Sequence, residues 1–440
     1  MSKFKNSSEA IDSSLLLYSG VKPTNTSVKE IYDLLVYPVN GIDQSVGSSI
    51  IFNLPPQETG LLCDVEIVTK FYVQNGDENL AEQAQVSTVN MIASAMFSLV
   101  DVRIDERISL CQQMTNSYNM CHFFETMLMN EPTRQDILYS REMFALDTGT
   151  KAESDGHVFY PTANVKNRGG EKRALRIAGS KKVTVMSKLN VPLFKQHKAL
   201  PPGTRITVTL TKAKNSYCLL CAAGTNFNLK IDDIYLKCTY MKPEDTLLKV
   251  MLSKLDTTPV TYEVDKQAIV ARMLPQGART YTITNLFEKE LPKFVLFCVQ
   301  EPEAINGDST KNPFTFLNIE SLQLYINNRQ YFPKALTNKP EAEDWRVNSQ
   351  QLLDNLYKTV MKDHQGAMLV TRENVNLYQF FTVCLTDDRT YDSHYGLKRS
   401  SDTRIELDVG AVTNSNIVLI AYCLYDQQII VNKRNIEIVE

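Results

Sequence analysis

From residue 63 onward, apolar and polar side chains alternate with a period of two. Cys63, Val65, Ile67, Phe71 and Val73 share one parity, and Asp64, Glu66, Lys70 and Gln74 the other. Successive side chains of a strand point to opposite faces, so this pattern predicts a strand with one dry and one wet face. The alternation returns at Val100, Val102 and Ile104, at Ile206, Val208 and Leu210, and at Ile405, Leu407 and Val409, each against intervening polar residues. Pro201-Pro202-Gly203 supplies a turn before the third of these strands. Half-wet strands are typical of antiparallel sandwiches, whereas parallel sheets read as continuous apolar runs. Longer strands are expected over 228–240 and 416–426.

Three segments switch to the helical period. Over 117–130, Met120, Phe123, Phe124, Met127 and Leu128 follow i, i+3, i+4, i+7, i+8 behind Ser117 as the expected cap. Over 349–360, Leu353, Leu356, Tyr357 and Val360 repeat the spacing. Between them, 243–255 opens on a proline and carries Leu247, Leu248, Met251, Leu252 and Leu255 as a stripe.

The two halves of the chain resemble each other. Val100-Asp101-Val102-Arg103-Ile104-Asp105-Glu106-Arg107 and Leu322-Gln323-Leu324-Tyr325-Ile326-Asn327-Asn328-Arg329 both read apolar-x-apolar-x-Ile-x-x-Arg, 222 residues apart. Each precedes one amphipathic helix, and each half ends in long strands. A period this long is a domain duplication rather than a solenoid repeat. The chain is therefore expected to be all-β. It should hold two tandem antiparallel β-sandwich domains at 49–242 and 257–440, a connecting helix at 243–256, and a polar arm at 1–48. Its few short amphipathic helices are expected in loops. The length, 440 residues, suits two large β domains as well as three of roughly 150 residues.

Composition narrows the function by exclusion. The chain is 43% apolar and 22% charged, which is ordinary globular usage. Its net charge of −3 is not that of a dedicated nucleic-acid binder. No apolar run reaches the roughly 18–20 residues of a membrane span, and the first residues lack the apolar centre of a signal peptide. Nine scattered cysteines, Cys63, Cys111, Cys121, Cys218, Cys221, Cys238, Cys298, Cys384 and Cys423, point to free thiols and a reducing intracellular compartment.

The search for chemistry finds no constellation. Gly-rich phosphate loops, the H-E-x-x-H zinc motif and the G-x-S-x-G elbow are absent. His122, His157, His197, His364 and His394 are isolated, and neighbours Cys121 and His122 splay apart on a helix. Cys218-Leu219-Leu220-Cys221 lacks the second ligand pair of a zinc site. Asp232-Asp233 and Asp387-Asp388 read as solvated turns rather than calcium ligands or paired catalytic carboxylates. No catalytic residue, cofactor or metal is expected. One segment stands out by charge. Residues 166–182 carry Lys166, Arg168, Lys172, Arg173, Arg176, Lys181 and Lys182 against Glu171 alone. With Gly169-Gly170 inside it, the segment reads as a basic loop able to meet phosphates or acidic patches on a neighbouring subunit.

The run Asn306-Gly307-Asp308-Ser309-Thr310-Lys311-Asn312-Pro313-Phe314-Thr315-Phe316, followed by Leu322-Gln323-Leu324-Tyr325-Ile326, resembles a signature of the double jelly-roll major capsid proteins of Polinton/Maverick elements, adintoviruses and virophage-like viruses. Ser98-Leu99-Val100-Asp101-Val102, Phe124-Glu125-Thr126-Met127-Leu128, residues 194–210, Lys214-Asn215-Ser216-Tyr217-Cys218-Leu219 and Leu291-Pro292-Lys293 resemble that family in the same order, over roughly residues 45–440. The polar run before the first helix, Thr115-Asn116-Ser117-Tyr118, departs from the family pattern. The resemblance implies two jelly rolls and a homotrimer with six similar wedges. It also implies an icosahedral shell around double-stranded DNA, with the basic 166–182 loop on the interior side facing the genome, a single jelly-roll penton partner and a place in the virion. Two other readings compete: a lectin-like two-domain adhesion protein and a jelly-roll carbohydrate-active enzyme. The first would carry a signal peptide and paired cysteines. The second would need facing carboxylates, or clustered histidines if a cupin.

Overall fold

The computed structural model describes residues 25–440, except 107, 111–113, 161, 256, 288–289, 339–344, 365–367, 390–394, 401, 432–435 and 440; of 162, 345–349, 361–364, 436 and 439 it describes the backbone alone. Half of the expected arm thus lies outside the described residues, as do Cys111, His394 and the side chain of His364.

Eight strands of each half set its jelly-roll order, beside a few short ones. The first half has β1 (Val28–Val36), β2 (Ser49–Leu54), β3 (Leu61–Asn75), β4 (Phe97–Ile104), β5 (Ile108–Ser109), β6 (Val183–Lys188), β7 (Ile206–Lys212) and β8 (Phe227–Pro243). The second has β9 (Val260–Leu274), β10 (Thr280–Thr284), β11 (Phe294–Gln300), β12 (Ser321–Ile326), β13 (Arg329–Gln330), β14 (Phe381–Cys384), β15 (Thr403–Asp408) and β16 (Ile417–Val431). Five helices matter below: α1 (Ser117–Met129), α2 (Gln135–Glu142), α3 (Arg168–Ile177), α4 (Asp245–Leu255) and α5 (Trp345–His364).

The strand orders repeat. In the first half, β1-β8-β3-β6 forms one sheet and β2-β7-β4-β5 the other. In the second, the orders are β9-β16-β11-β14 and β10-β15-β12-β13, each label raised by eight. Two antiparallel sheets interleaved in this order are a jelly roll, so the chain is a double jelly roll. The repeated sequence motif forms a hairpin at the same place in both halves, with a two-residue connection in the second half and a three-residue one in the first. Ile326 pairs with Arg329 across Asn327 and Asn328, whose φ values of 49° and 62° suit a type I′ turn. Ile104 pairs with Ile108, and Asp105 and Glu106 hold φ of 49° and 58°.

Local departures from the sequence reading have local causes. Residues 28–36, assigned to the arm, form β1 and pair with β8 from Val28↔Pro243 to Val36↔Leu236. Cys63, expected on the dry face, is exposed. Thr239 pairs with Asp64 and Tyr240 with Leu62, so Cys63 is the extra residue of a β-bulge and turns outward. Val65, Ile67, Phe71 and Val73 keep the expected parity and are buried. The cap of α1 is Asn116 in a left-handed conformation, while Ser117 is its first helical residue and donates to the Met114 carbonyl at 2.5 Å. Pro243 closes β8 rather than opening α4, and the Glu244 carboxylate accepts the Thr246 and Leu247 N–H groups. The apolar stripe of α4 faces solvent: only Leu248 is buried.

One helix departs most from amphipathic expectation. In α1 every residue is buried except Glu125 and Met129, the signature of a helix covered all round. It lies between the two jelly rolls. The Phe124 ring sits 5.7 Å from Phe316, 5.5 Å from Phe380 and 5.5 Å from Tyr422. Phe123 sits 4.7 Å from Phe314 and 5.9 Å from Tyr378. All five partners belong to the second half, so buried residues of both halves form one continuous core. Phe124→Ala is expected to destabilise the chain by about 3–5 kcal/mol, lowering the denaturation midpoint of both halves together. Separate transitions with the second half unaffected would contradict a shared core.

Candidate assembly surfaces

The basic segment is not a loop. Asn167 caps α3 by accepting the Gly170 N–H at 3.0 Å, and residues 168–177 are helical. The two glycines that suggested a loop serve close packing. A Cβ at Gly169 would collide with the Leu146 carbonyl, and one at Gly170 would lie 2.8 Å from the Phe159 ring. The helix is thereby held against the 145–147 segment and turns one arginine inward.

That arginine, Arg173, is fully buried. Its Nη2 donates to Asp147 Oδ1 at 2.5 Å, Nη1 to the Ala145 carbonyl at 2.7 Å and Nε to the Thr88 carbonyl at 2.9 Å. Neither side chain of the Arg173–Asp147 pair has any exposed surface. A charge so placed is tolerated only when its hydrogen-bonding capacity is filled. The second half helps to fill it. Asn312 Nδ2 donates to Asp147 Oδ2 at 3.0 Å and lies 2.9 Å from Ser154 Oγ, and the Asp147 N–H donates to the Tyr378 hydroxyl at 3.1 Å. Around this centre Lys151, Asp155, Glu301 and Lys311 form a four-member ring of ion pairs between the halves, with contacts of 2.6–3.9 Å. The 306–316 signature is thus the joint itself: Asn312 reaches Asp147, Phe314 meets Phe123, Phe316 meets Phe124, and the Ser309 carbonyl accepts the Cys221 N–H at 2.9 Å.

The other basic residues stay at the surface, mostly engaged. Arg168 pairs with Glu171 at 2.8 Å, Lys182 with Asp232 at 2.6 Å and Lys181 with Glu82 at 3.9 Å. Arg176 donates to the Tyr139 and Ser140 carbonyls. Lys166 and Lys172 are exposed. Asp387 pairs with Arg399. Cys218 and Cys221 are buried, the Cys218 thiol is pushed up to about 12 by burial, and it donates to the Ala95 carbonyl. Among the described residues no group of three or more His, Cys, Asp or Glu side chains is gathered as a metal site would require, and no helix is long and apolar enough to cross a membrane.

His122, on α1, faces Glu142 at 3.8 Å, and both are buried. Burial pulls the imidazole down to about 4 and pushes the carboxyl up to about 7. Near pH 6 both are uncharged, so the contact is not an ion pair. Beside them Glu125 is held below the usual carboxylate range despite burial, chiefly by Lys195 at 2.5 Å.

In β16, Val418, Ile420, Tyr422 and Leu424 share one parity and are 7%, 0%, 1% and 2% exposed, and Phe124 of α1 packs on Tyr422 at the middle of this face. The counterpart face in the first half is open: Ile31 and Leu35 of β1 are 65% and 47% exposed, and Tyr37 is 57% exposed.

No family profile matches the sequence, and no curated protein matches it. Solved structures do match in fold. A protein of the Sputnik virophage superposes with a TM-score of 0.66 at 13% identity, over 99% of this chain and 93% of that one. The capsid of PBCV-1 virus gives 0.58 at 11% identity, over 96% and 99%. The mavirus major capsid protein gives 0.56 at 10% identity, over 100% and 96%. The fold is therefore that of the double jelly-roll proteins of viral shells, along the whole chain.

Asp147→Ala should cost about 3–5 kcal/mol, because it leaves the Arg173 guanidinium buried without its counter-charge; urea midpoints measure the loss. Glu142 tests the pH dependence. Unfolded, it ionises above about 4.5, whereas folded it holds its proton to about 7. Its contribution is therefore complete below 4.5 and is lost as pH rises to 7. Glu142→Gln is expected to leave stability at pH 4.5 unchanged and to raise it at pH 8 by on the order of 3 kcal/mol. An equal effect at both pH values would refute this.

Proposed function

We propose that the chain is a major capsid protein. Three copies form a pseudo-hexameric capsomer, and capsomers tile an icosahedral shell around a double-stranded DNA genome. The observation that carries the reading is fold likeness to viral capsid proteins across both jelly rolls and nearly the whole of each chain. Two similar sandwiches joined side by side give a three-copy ring six similar wedges, and heterologous contacts between wedges can repeat across a hexagonal lattice. Function of this kind is spread over large surfaces rather than gathered at one catalytic centre, and we read the chain as non-enzymatic.

The penton partner, a single jelly-roll protein, would occupy the five-fold positions that a pseudo-hexamer does not fill. Contact with the genome would rest on exposed lysines such as Lys166 and Lys172, since Arg173 is committed to the joint. The place of action is the virion. Purified chain is expected to run as a trimer of about 150 kDa, three times 49.9 kDa, by light scattering, with hexagonal outlines or shells by negative stain. A stable monomer that binds glycans would overturn the reading in favour of an adhesion module.

A further inference from the structure

We propose that the outer face of the β1-β8-β3 sheet is the seat for the second half of a neighbouring copy, and that α5 of that copy lands on it. The inference rests on the capsid reading and adds the surface and the element.

Two equivalent faces are unequally covered. β8 and β16 hold the same place in the same topology. From Ile417 to Leu424 β16 is buried on both sides, the outward side by α1 of the other half. On β8 the outward residues Tyr235, Lys237, Thr239 and Met241 are only half-buried. The register Ile31↔Met241, Asp33↔Thr239 and Leu35↔Lys237 sets the exposed residues of β1 on that same outward side. Tyr37 and Tyr235 extend it, with ring centroids 5.7 Å apart. A face with this much apolar exposure, whose topological equivalent in the other half is covered, is a face awaiting cover.

The cover follows from the duplication. α1 lies between β5 and β6, and α5 lies between β13 and β14, the counterpart strands. Within the chain, the helix of one half covers the sheet of the other. That contact is heterologous: it leaves a free sheet on the first half and a free helix on the second. The free sheet of one copy fits the free helix of the next, and repetition closes a ring. The outward residues of α5, Gln351, Asp354, Tyr357 and Lys358, are exposed. They are polar and aromatic where α1 carries Phe123 and Phe124. The row they would meet is also mixed, with Lys237 3.1 Å from Asp33 and 4.0 Å from Glu66. A more polar contact suits partners that meet after each has folded.

The test is light scattering of the full chain, with two sets of variants. Ile31→Asp/Leu35→Asp should remain folded by circular dichroism and weaken self-association by at least about 100-fold, as loss of two central apolar contacts does. Val412→Asp, an exposed apolar residue in a different loop, should leave it unchanged. In a Cys63→Ser background, Leu35→Cys/Tyr357→Cys should give disulfide-linked dimers and trimers on oxidation, and neither single cysteine should. If wild type and Ile31→Asp/Leu35→Asp are both trimers and no cross-link forms, the surface is wrong and the capsid reading stands. If wild type is monomeric, both fall. If the aspartate variant fails to fold, the cross-link decides.

Discussion

A sheet that is apolar on both sides cannot be left with one side in water. The segment Ile417–Leu424 is such a sheet strand, and its neighbour β11 is buried along its full length. The sandwich interior covers only one side of each. The other needs a second body, and α1 is that body. Its burial on nearly all sides, and the merging of two sandwiches into one core, follow from this single requirement.

Apolar cover alone would allow the halves to slide, because hydrophobic contact has no direction. Direction comes from the buried polar centre. Asp147 takes hydrogen bonds from Arg173 on one side and Asn312 on the other, and these donors occupy fixed positions in different halves. A displacement of either half by one residue would strand a charge away from water. The geometry suits registration between two bodies more than raw stabilisation, since buried ion pairs often contribute little net energy.

Much of this was legible in the sequence, though not evenly. The half-wet strands, the duplicated hairpin and the three helices follow from period and spacing, because each is a local pattern. The jelly-roll pairing of strands far apart follows only from the resemblance. Three features were hidden. In β1, Val28 to Val36 mixes apolar residues on both parities, since its outward side is apolar too; alternation gives no signal there. In α3, Gly169-Gly170 and the dense charge mimic a loop, while the reason for glycine is the Leu146 backbone pressed against the helix. Arg173 is indistinguishable by sequence from its exposed neighbours. One local signal does mark the joint: Ile-Val-Leu-Ile-Ala-Tyr-Cys-Leu at 417–424 is a continuous apolar run among alternating strands, the pattern of a strand covered on both sides.

The placement of α1 also bears on the order of events at the ribosome. Phe124 waits for Tyr422, 298 residues further on, and Asp147 waits for Asn312, 165 residues further on. Contacts of such long range are slow to form, and domains ordinarily complete themselves as they emerge. Here the first jelly roll leaves the exit tunnel with a greasy helix that nothing in it covers, and with Asp147 held by Arg173 on one oxygen while the other still lacks Asn312. The nascent chain therefore passes through a long interval of adhesiveness. That interval closes only when β16, the last long strand of the second jelly roll, has been made.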